Sequence, residues 1–430
     1  MGLWRGVRGR ENEAKRVVFR LIGRMAKILF LAHRVPFPPN KGDKIRAFHI
    51  LEHLSRNHQV WLGASADDAA DMQHLAMAKG RYADACFGLT TRLGRAANMA
   101  LAALTGAPMS VTRFRQRDLA RWIETVLREV EPDLVYVYSS ALAQYVVGRL
   151  PPGTGLVMDF VDADAEKWRA YAAKARVPAR WIYARELNSL VRYERRVLEA
   201  AHAGILVSQT ECRLQAGFAP RGAAKLHMIP NGVDAGYFQP GTAPAGPMAR
   251  IVFTGTMDYL PNIDAVRWFA HDLLPGIRLD CPEAVFQIVG AKPTAEVLAL
   301  GGLPGVEIVG AVPDIRPYLF GADVIVAPLR IARGIQNKVL EGMAVGKPVV
   351  ATPQALDGID AIAGRDVLVG AGSEEFIAAV TDVLRGRAAA DLGARARDYV
   401  LARHRWEETL VALDELVTRL LHEKLAQAAA

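Results

Sequence analysis

Cysteine is scarce. Three residues in 430, Cys86, Cys212 and Cys281, lie far apart and are odd in number. They form no metal-ligand spacing and leave a thiol over in any pairing scheme, which excludes a disulfide scaffold and points to a reducing cytoplasm. No apolar run reaches the roughly 18 residues of a membrane-spanning helix. The basic start lacks the hydrophobic segment and small-residue cleavage site of a secretory signal. A one-sided charge is also missing from most of the chain. The formal charge is +8, but residues 1–24 hold seven Lys/Arg against Glu11 and Glu13, which is +5 of that total. The body is near balance, whereas a nucleic-acid-binding body carries an organised basic surplus.

What is present is globular. The chain is 51% hydrophobic and 23% charged, enough for two cores at about 150 to 200 residues each. KILFLAH (27–33) runs into a Pro/Gly loop, then a helical pattern with Ile45, Phe48, Leu51 and Leu54, then QVWLGAS (59–65). This strand–loop–helix–strand alternation predicts an α/β fold with a doubly wound parallel sheet. DLVYVYSS (133–140), GLVMDFVD (155–162) and GILVSQ (204–209) continue it. Residues 239–249, rich in Pro, Gly and Ala, read as an interdomain linker. The alternation restarts with RIVFTGT (250–256), AVFQIVG (284–290), VEIVG (306–310), ADVIVAPL (322–329) and KPVVAT (347–352). The expected organisation is a basic extension over 1–24, a first Rossmann-like domain over 25–238, the linker, a second Rossmann-like domain over 250–393, and a C-terminal helix over 394–430 packing back on the body. Its apolar face would be Trp406, Leu410, Leu413, Val417 and Leu420.

Ligands of open parallel sheets bind beyond the C-terminal strand ends. TGTMDYLPN (254–262) follows a strand and precedes a helix, so Gly255 and Thr256 could seat a pyrophosphate on free helix N–H groups, or simply make a tight turn. The richest segment is LRIARGIQNKVLEGMAVGKPVVAT (329–352). Arg330, Arg333 and Lys338 stand between a strand end and a helix start, an anion site. Glu341, one turn after Lys338, shares its face and can accept two ribose hydroxyls; the alternative is a solvated helical ion pair.

This segment resembles the donor-binding region of glycosyltransferase family 4, which has the two-domain GT-B fold. The family's second Glu falls on Glu341, followed by GMAVGKPVV; IPNGVD (229–234), LVSQTE (206–211) and FTGTMDYLPNIDAV (253–266) are similar to its hinge, preceding strand and donor loop. HRVPFPPNKGDKIRAFHILEHL (33–54) and MDFVDADAEKW (158–168) look like the sugar transferases beside PEP-CTERM/exosortase exopolysaccharide loci. The resemblance covers about 25–425. It implies two Rossmann-like domains facing across a cleft, a retaining transfer of a hexose from a nucleotide sugar, and a glycan or polyprenyl-linked acceptor. The nucleotide-diphosphate sugar is the donor substrate, with no cofactor and no metal. The family's first Glu is replaced by Arg333, and its usual Arg and Lys are missing from TGTMDYLPN. The phosphate role is therefore expected to shift to Arg330, Arg333 and Lys338.

On the first domain, Lys41, Gly42, Asp43 and Arg46 occupy the loop and helix start after the first strand and are the expected acceptor contacts. Asp162 takes the place near a strand end where many relatives carry a His, and is the expected polar contact or base; with Asp164 it could otherwise suggest a cation site. His33 ends the first strand and either lines the cleft or is structural. A basic, aromatic stretch over 167–196, with Arg113, Arg115, Arg117 and Arg121, suits peripheral contact with an anionic membrane at the cytoplasmic face, or is a solvated helical surface. No nucleic acid partner is expected. Two other functions fit the same fold: a sugar-nucleotide 2-epimerase, and a non-catalytic nucleotide-sugar-binding module.

Overall fold

The central apolar runs fold as strands buried on both faces, as a parallel sheet covered by helices requires, whereas VEIVG (306–310) at a sheet edge is only partly covered. The computed structural model describes residues 25–242, 249–332 and 334–429. The extension 1–24, part of the expected linker and Arg333 lie outside the described residues.

The first sheet contains β1 (Lys27–Ala32), β2 (Gln59–Ala66), β3 (Asp84–Leu89), β4 (Leu134–Tyr138), β5 (Gly155–Val161), β6 (Ala203–Leu206) and β7 (Leu226–Met228), in the spatial order β3-β2-β1-β4-β5-β6-β7. The second contains β8 (Arg250–Thr254), β9 (Val285–Val289), β10 (Val306–Gly310), β11 (Val324–Ala327), β12 (Val349–Ala351) and β13 (Leu368–Val369), in the order β10-β9-β8-β11-β12-β13. All pairings are parallel, for example Ile28 opposite Val60 and Leu134, and Ile325 opposite Val349. Each sheet reverses its winding between its first strand in sequence and its fourth, β1 beside β4 and β8 beside β11, and there the loops part to form a crevice.

The principal helices are α1 (Gly42–Ser55), α2 (Arg92–Thr105), α3 (Arg117–Glu129), α4 (Asp164–Lys174), α5 (Ala179–Ala200), α6 (Gln209–Phe218), α7 (Leu260–Trp268), α8 (Asn337–Ala344), α9 (Ser373–Leu384), α10 (Leu392–Arg403) and α11 (Val411–Ala429). Local chemistry sets their ends. Ser208 Oγ accepts from Glu211 N–H at the start of α6, Thr91 does the same for α2, and Gly106 at φ +72° ends α2. The two faces of the first sheet and the second sheet each close over a hydrophobic core.

The tail differs from the single helix read over 394–430. Ala396, Tyr399 and Val400 of α10 join the second core, whereas Trp406, Leu410, Leu413, Val417 and Leu420 pack on the first sheet. The chain must cross between domains at 404–405, where the helix breaks and Arg405 is extended: Val233 N–H donates to His404 C=O (2.7 Å) and Val233 pairs with Arg405. Two crossing segments therefore run side by side. Gly232 is needed there, because a Cβ would stand 2.7 Å from Trp406 N. No helix among the described residues is long and apolar enough to cross a membrane.

Candidate functional site

The second domain's part of the site is built on glycine. A Cβ on Gly290, after β9, would overlap the Gly255 carbonyl, and Gly255 N–H donates to Val289 C=O (3.0 Å). The two turns touch, and this brings Thr256 and the start of α7 over the sheet edge. Asn262, in the first turn of α7, donates from Nδ2 to Thr256 C=O (2.9 Å) and accepts at Oδ1 from Lys338 Nζ (2.6 Å). The ammonium also stands 4.1 Å from the Phe253 ring centroid. Gly255 leaves the necessary room, since its Cβ would lie 3.1 Å from Lys338 Nζ. Lys338, Gly255, Thr256 and the first turns of α7 and α8 thus meet at one point, and Glu341 follows on the same face of α8. Burial lowers the Lys338 pKa to about 7 against the pull of Glu341, and raises that of Glu341 to about 7 against the pull of Lys338. An anionic ligand would relieve the desolvation of the ammonium, and hydroxyl donors would relieve that of the carboxylate.

Arg330 is placed differently from the expected phosphate contact. Its guanidinium is bidentate to Asp264 (3.0 and 2.6 Å) and lies over Trp268, further along α7 than Asn262. It is held beside the site, not in it.

The first domain presents an aromatic and acidic wall. His33 stacks on Tyr138 with centroids 5.6 Å apart and meets the edge of Phe114. Burial, reinforced by Arg34 and Arg113, lowers the His33 pKa to about 4 despite Asp43 and Asp67. The ring is therefore neutral. His33 Nδ1 and the Tyr138 hydroxyl are buried without a hydrogen-bond partner among the described residues, which marks them as groups awaiting one. Asp162 stands nearby. Val161 before it has φ +70°, a costly conformation for a β-branched residue, and β5 slips register against β6 there. The kink brings the carboxylate towards the second domain, where a Cβ on Gly334 (φ +57°) would overlap it. Burial, with Glu211 and Asp164, raises the Asp162 pKa to about 7.

Of the expected acceptor contacts, Gly42 opens α1 and faces Asn337 at the start of α8: its Cβ would be 3.7 Å from Asn337 Nδ2. Lys41 precedes it, half-buried. Asp43 is engaged by Arg34 (2.9 Å) and lies 3.7 Å from His33 Nε2. Arg46 is a correction. It is 1% exposed and pairs with fully buried Asp159 (3.1 and 3.0 Å), which also accepts from Tyr136 OH (2.7 Å). It cannot reach an acceptor. Instead its Nη1 donates to Asn231 Oδ1 (3.0 Å) in the crossing segment, and Asn231 Nδ2 donates to Asn337 Oδ1 (3.2 Å). One hydrogen-bonded chain runs from the first core to the helix that carries Lys338. Asn262, Asn337, Asn231 and Tyr138 were not singled out in the sequence; an Asn in the first turn of each site helix was the available signal. No cluster of His, Cys, Asp or Glu suited to a metal occurs among the described residues.

Residues 249–386 match the family model described as glycosyl transferases group 1. No curated protein matches the sequence. Among solved structures, sucrose-phosphate synthase of Thermosynechococcus elongatus superposes with a TM-score of 0.69 at 16% identity, over 93% of this chain and 100% of that one. HepE of Anabaena in complex with UDP and glucose gives 0.65 at 16% identity, over 91% and 99%. WaaG, a glycosyltransferase involved in lipopolysaccharide biosynthesis, gives 0.59 at 16%, over 90% and 98%. At such identity these likenesses speak for the fold. The chain has the GT-B fold of two Rossmann-like domains, and the match to glycosyl transferases group 1 lies on the second of them.

Proposed function

We propose that the protein is a retaining glycosyltransferase of the family 4 type that moves a hexose from a nucleoside-diphosphate sugar to a glycan or lipid-linked acceptor, in exopolysaccharide synthesis at the cytoplasmic membrane face. The observation that carries this reading is Lys338: a half-buried ammonium held by Asn262 above a glycine turn, where the first turns of α7 and α8 meet. HepE, which has the same fold and was solved with UDP and with UDP-glucose, supports a nucleotide-sugar ligand.

In the reaction the bond from the anomeric carbon to the phosphate oxygen breaks, and the acceptor oxygen bonds to that carbon on the same face. The acceptor proton passes to the departing phosphate. Charge grows on the diphosphate as it leaves, next to Lys338 and the helix N–H groups, and fixed positive groups there lower the barrier most. Glu341 is suited to ribose hydroxyls. Neutral His33, Tyr138 and Asp162 are suited to sugar or acceptor hydroxyls.

Crystals soaked with UDP or GDP test the reading. The diphosphate is expected against Lys338 and Gly255; a nucleotide lodged away from Glu341 sinks it. Incubating UDP-GlcNAc without an acceptor is expected to leave it unchanged, and an epimerised product would replace transfer with 2-epimerisation.

A further inference from the structure

Helix α2 is amphipathic with its apolar side outward. Leu93, Ala97, Ala100 and Leu104 recur at helical spacing and share one stripe. Leu93 is 84% and Leu104 87% exposed, and Ala102 is the buried residue of the helix. Most exposed leucines need no explanation, but a stripe of this kind does. A second apolar group adjoins it. Arg185 of α5 donates to the carbonyls of Ala102 and Ala107 at the end of α2. One turn before Arg185, Trp181 is 69% exposed, with Ile182 and Val177 also exposed.

The charge around these residues has one sign. Residues 92–117 contain no Asp or Glu, and neither do residues 167–185. Arg92, Arg95, Arg176 and Arg180 are exposed. The basic stretch over 167–196 is otherwise largely used internally: the rings of Trp168, Tyr171 and Tyr183 pack on one another, and Arg192 and Arg195 donate to backbone carbonyls. What is left free is an apolar stripe with a cationic rim; Glu186, which accepts from Met109 and Ser110 just past α2, is fully buried. A second copy of the same face would oppose like charges. An anionic lipid surface matches both the stripe and the rim.

We propose that α2, with the turn and first residues of α5, seats the protein on an anionic lipid bilayer. The face borders the cleft. Asn98 of α2 donates to Arg115 C=O (2.9 Å), next to the Phe114 that packs against His33. A lipid-linked acceptor held in the leaflet is thereby brought to the first domain's side of the cleft. That consequence rests on the function proposed above; the lipid-binding surface does not.

The full chain is sedimented with vesicles of phosphatidylcholine alone and of phosphatidylcholine with phosphatidylglycerol. Binding is expected to the anionic vesicles and to weaken with salt. The double variant L93S/L104S is expected to lower partition about tenfold or more, while its melting temperature and its thermal shift with UDP stay at wild-type values. R92Q/R95Q, which keeps the stripe, is expected to reduce the dependence on phosphatidylglycerol. Failure of the full chain to bind anionic vesicles, or equal binding by L93S/L104S, overturns the proposal. So does a dimer in light scattering that L93S/L104S abolishes, which would give the stripe to a second copy. A missing UDP shift in a chain that binds vesicles would count against the function and leave the surface standing.

Discussion

Replacing Lys338 by Ala isolates the group on which the chemistry is argued to depend. Its ammonium donates to Asn262 at 2.6 Å and lies 4.1 Å from the Phe253 ring centroid. Burial has already drawn its pKa to about 7 from the ordinary 10.5. A folded-state value below the unfolded one means that the unfolded chain binds more protons between about pH 7 and 10.5, so stability rises with pH across that window: the lysine's cost to folding is full below about pH 7 and is gone by about 10.5. Its removal therefore has no favourable charge term to forfeit. Catalysis should behave oppositely. A charge-assisted hydrogen bond to the ground-state diphosphate is worth roughly 1.5–3 kcal/mol. As charge builds on the leaving group, the comparable loss of a transition-state donor is roughly 2.7–4 kcal/mol, about a hundred- to a thousandfold in kcat. The assay is steady-state release of nucleoside diphosphate from a saturating donor and acceptor, with the melting curve recorded in parallel. Wild-type turnover by a folded Lys338→Ala protein would refute the reasoning.

The same lysine should take up a proton when a nucleotide binds at pH 8, because the diphosphate raises a pKa near 7; calorimetry in buffers of different ionisation enthalpy should show uptake that Lys338→Ala removes. Asp162 has a folded pKa raised to about 7 from 3.8, so the folded state holds the extra proton, and stability falls as pH rises between those values. Asp162→Asn should be no less stable than wild type at pH 8, by a gain of about 1–3 kcal/mol in urea unfolding, and should show no such gain near pH 4. Arg46→Ala leaves Asp159 buried without its cation and should cost about 3–5 kcal/mol of stability, whereas a true acceptor contact would leave the melting temperature alone. Gly290→Ala forces the turns after β8 and β9 apart and should weaken UDP binding, measured by thermal shift, while leaving the first domain's fold intact.

Most of the fold was legible because a buried parallel strand is an unbroken apolar run, and KILFLA, LVYVY and VIVA are such runs. DACFGL (β3) was not read, because a sheet-edge strand with Asp84 and Cys86 half-covered lacks that signature. The break at His404 was invisible because helical periodicity continues across it, and only the neighbouring crossing segment imposes the extended pairing with Val233. In the site, Lys338 and Glu341 were legible from spacing along one helix. Arg46 was misread for the opposite reason: a cation near a helix start looks available until Asp159, 113 residues away, is seen to hold it. The asparagines fell between these cases. Each satisfies a partner distant in sequence; a place in the first turn of a helix is the one local mark of Asn262 and Asn337, and nothing local distinguishes Asn231 from a surface amide.

The charge around the donor pocket leads to a last step. Lys338 alone is weak neutralisation for a diphosphate, and Arg330 is tied to Asp264. That pair is about half-exposed on the arginine side, and exposed ion pairs are worth at most about 1 kcal/mol. A phosphate oxygen, carrying more charge and meeting the guanidinium's fork as well as a carboxylate does, can outbid Asp264 at small cost. On this argument Arg330, held beside the site by Asp264, would be drawn into it only when a nucleotide binds, and two variants test that. Asp264→Asn should then tighten UDP binding several-fold by removing the competitor, whereas Arg330→Ala should weaken it. If Asp264→Asn leaves UDP affinity unchanged while Arg330→Ala lowers only stability, Arg330 is a strut of α7 and the helix ends must supply the remaining positive charge.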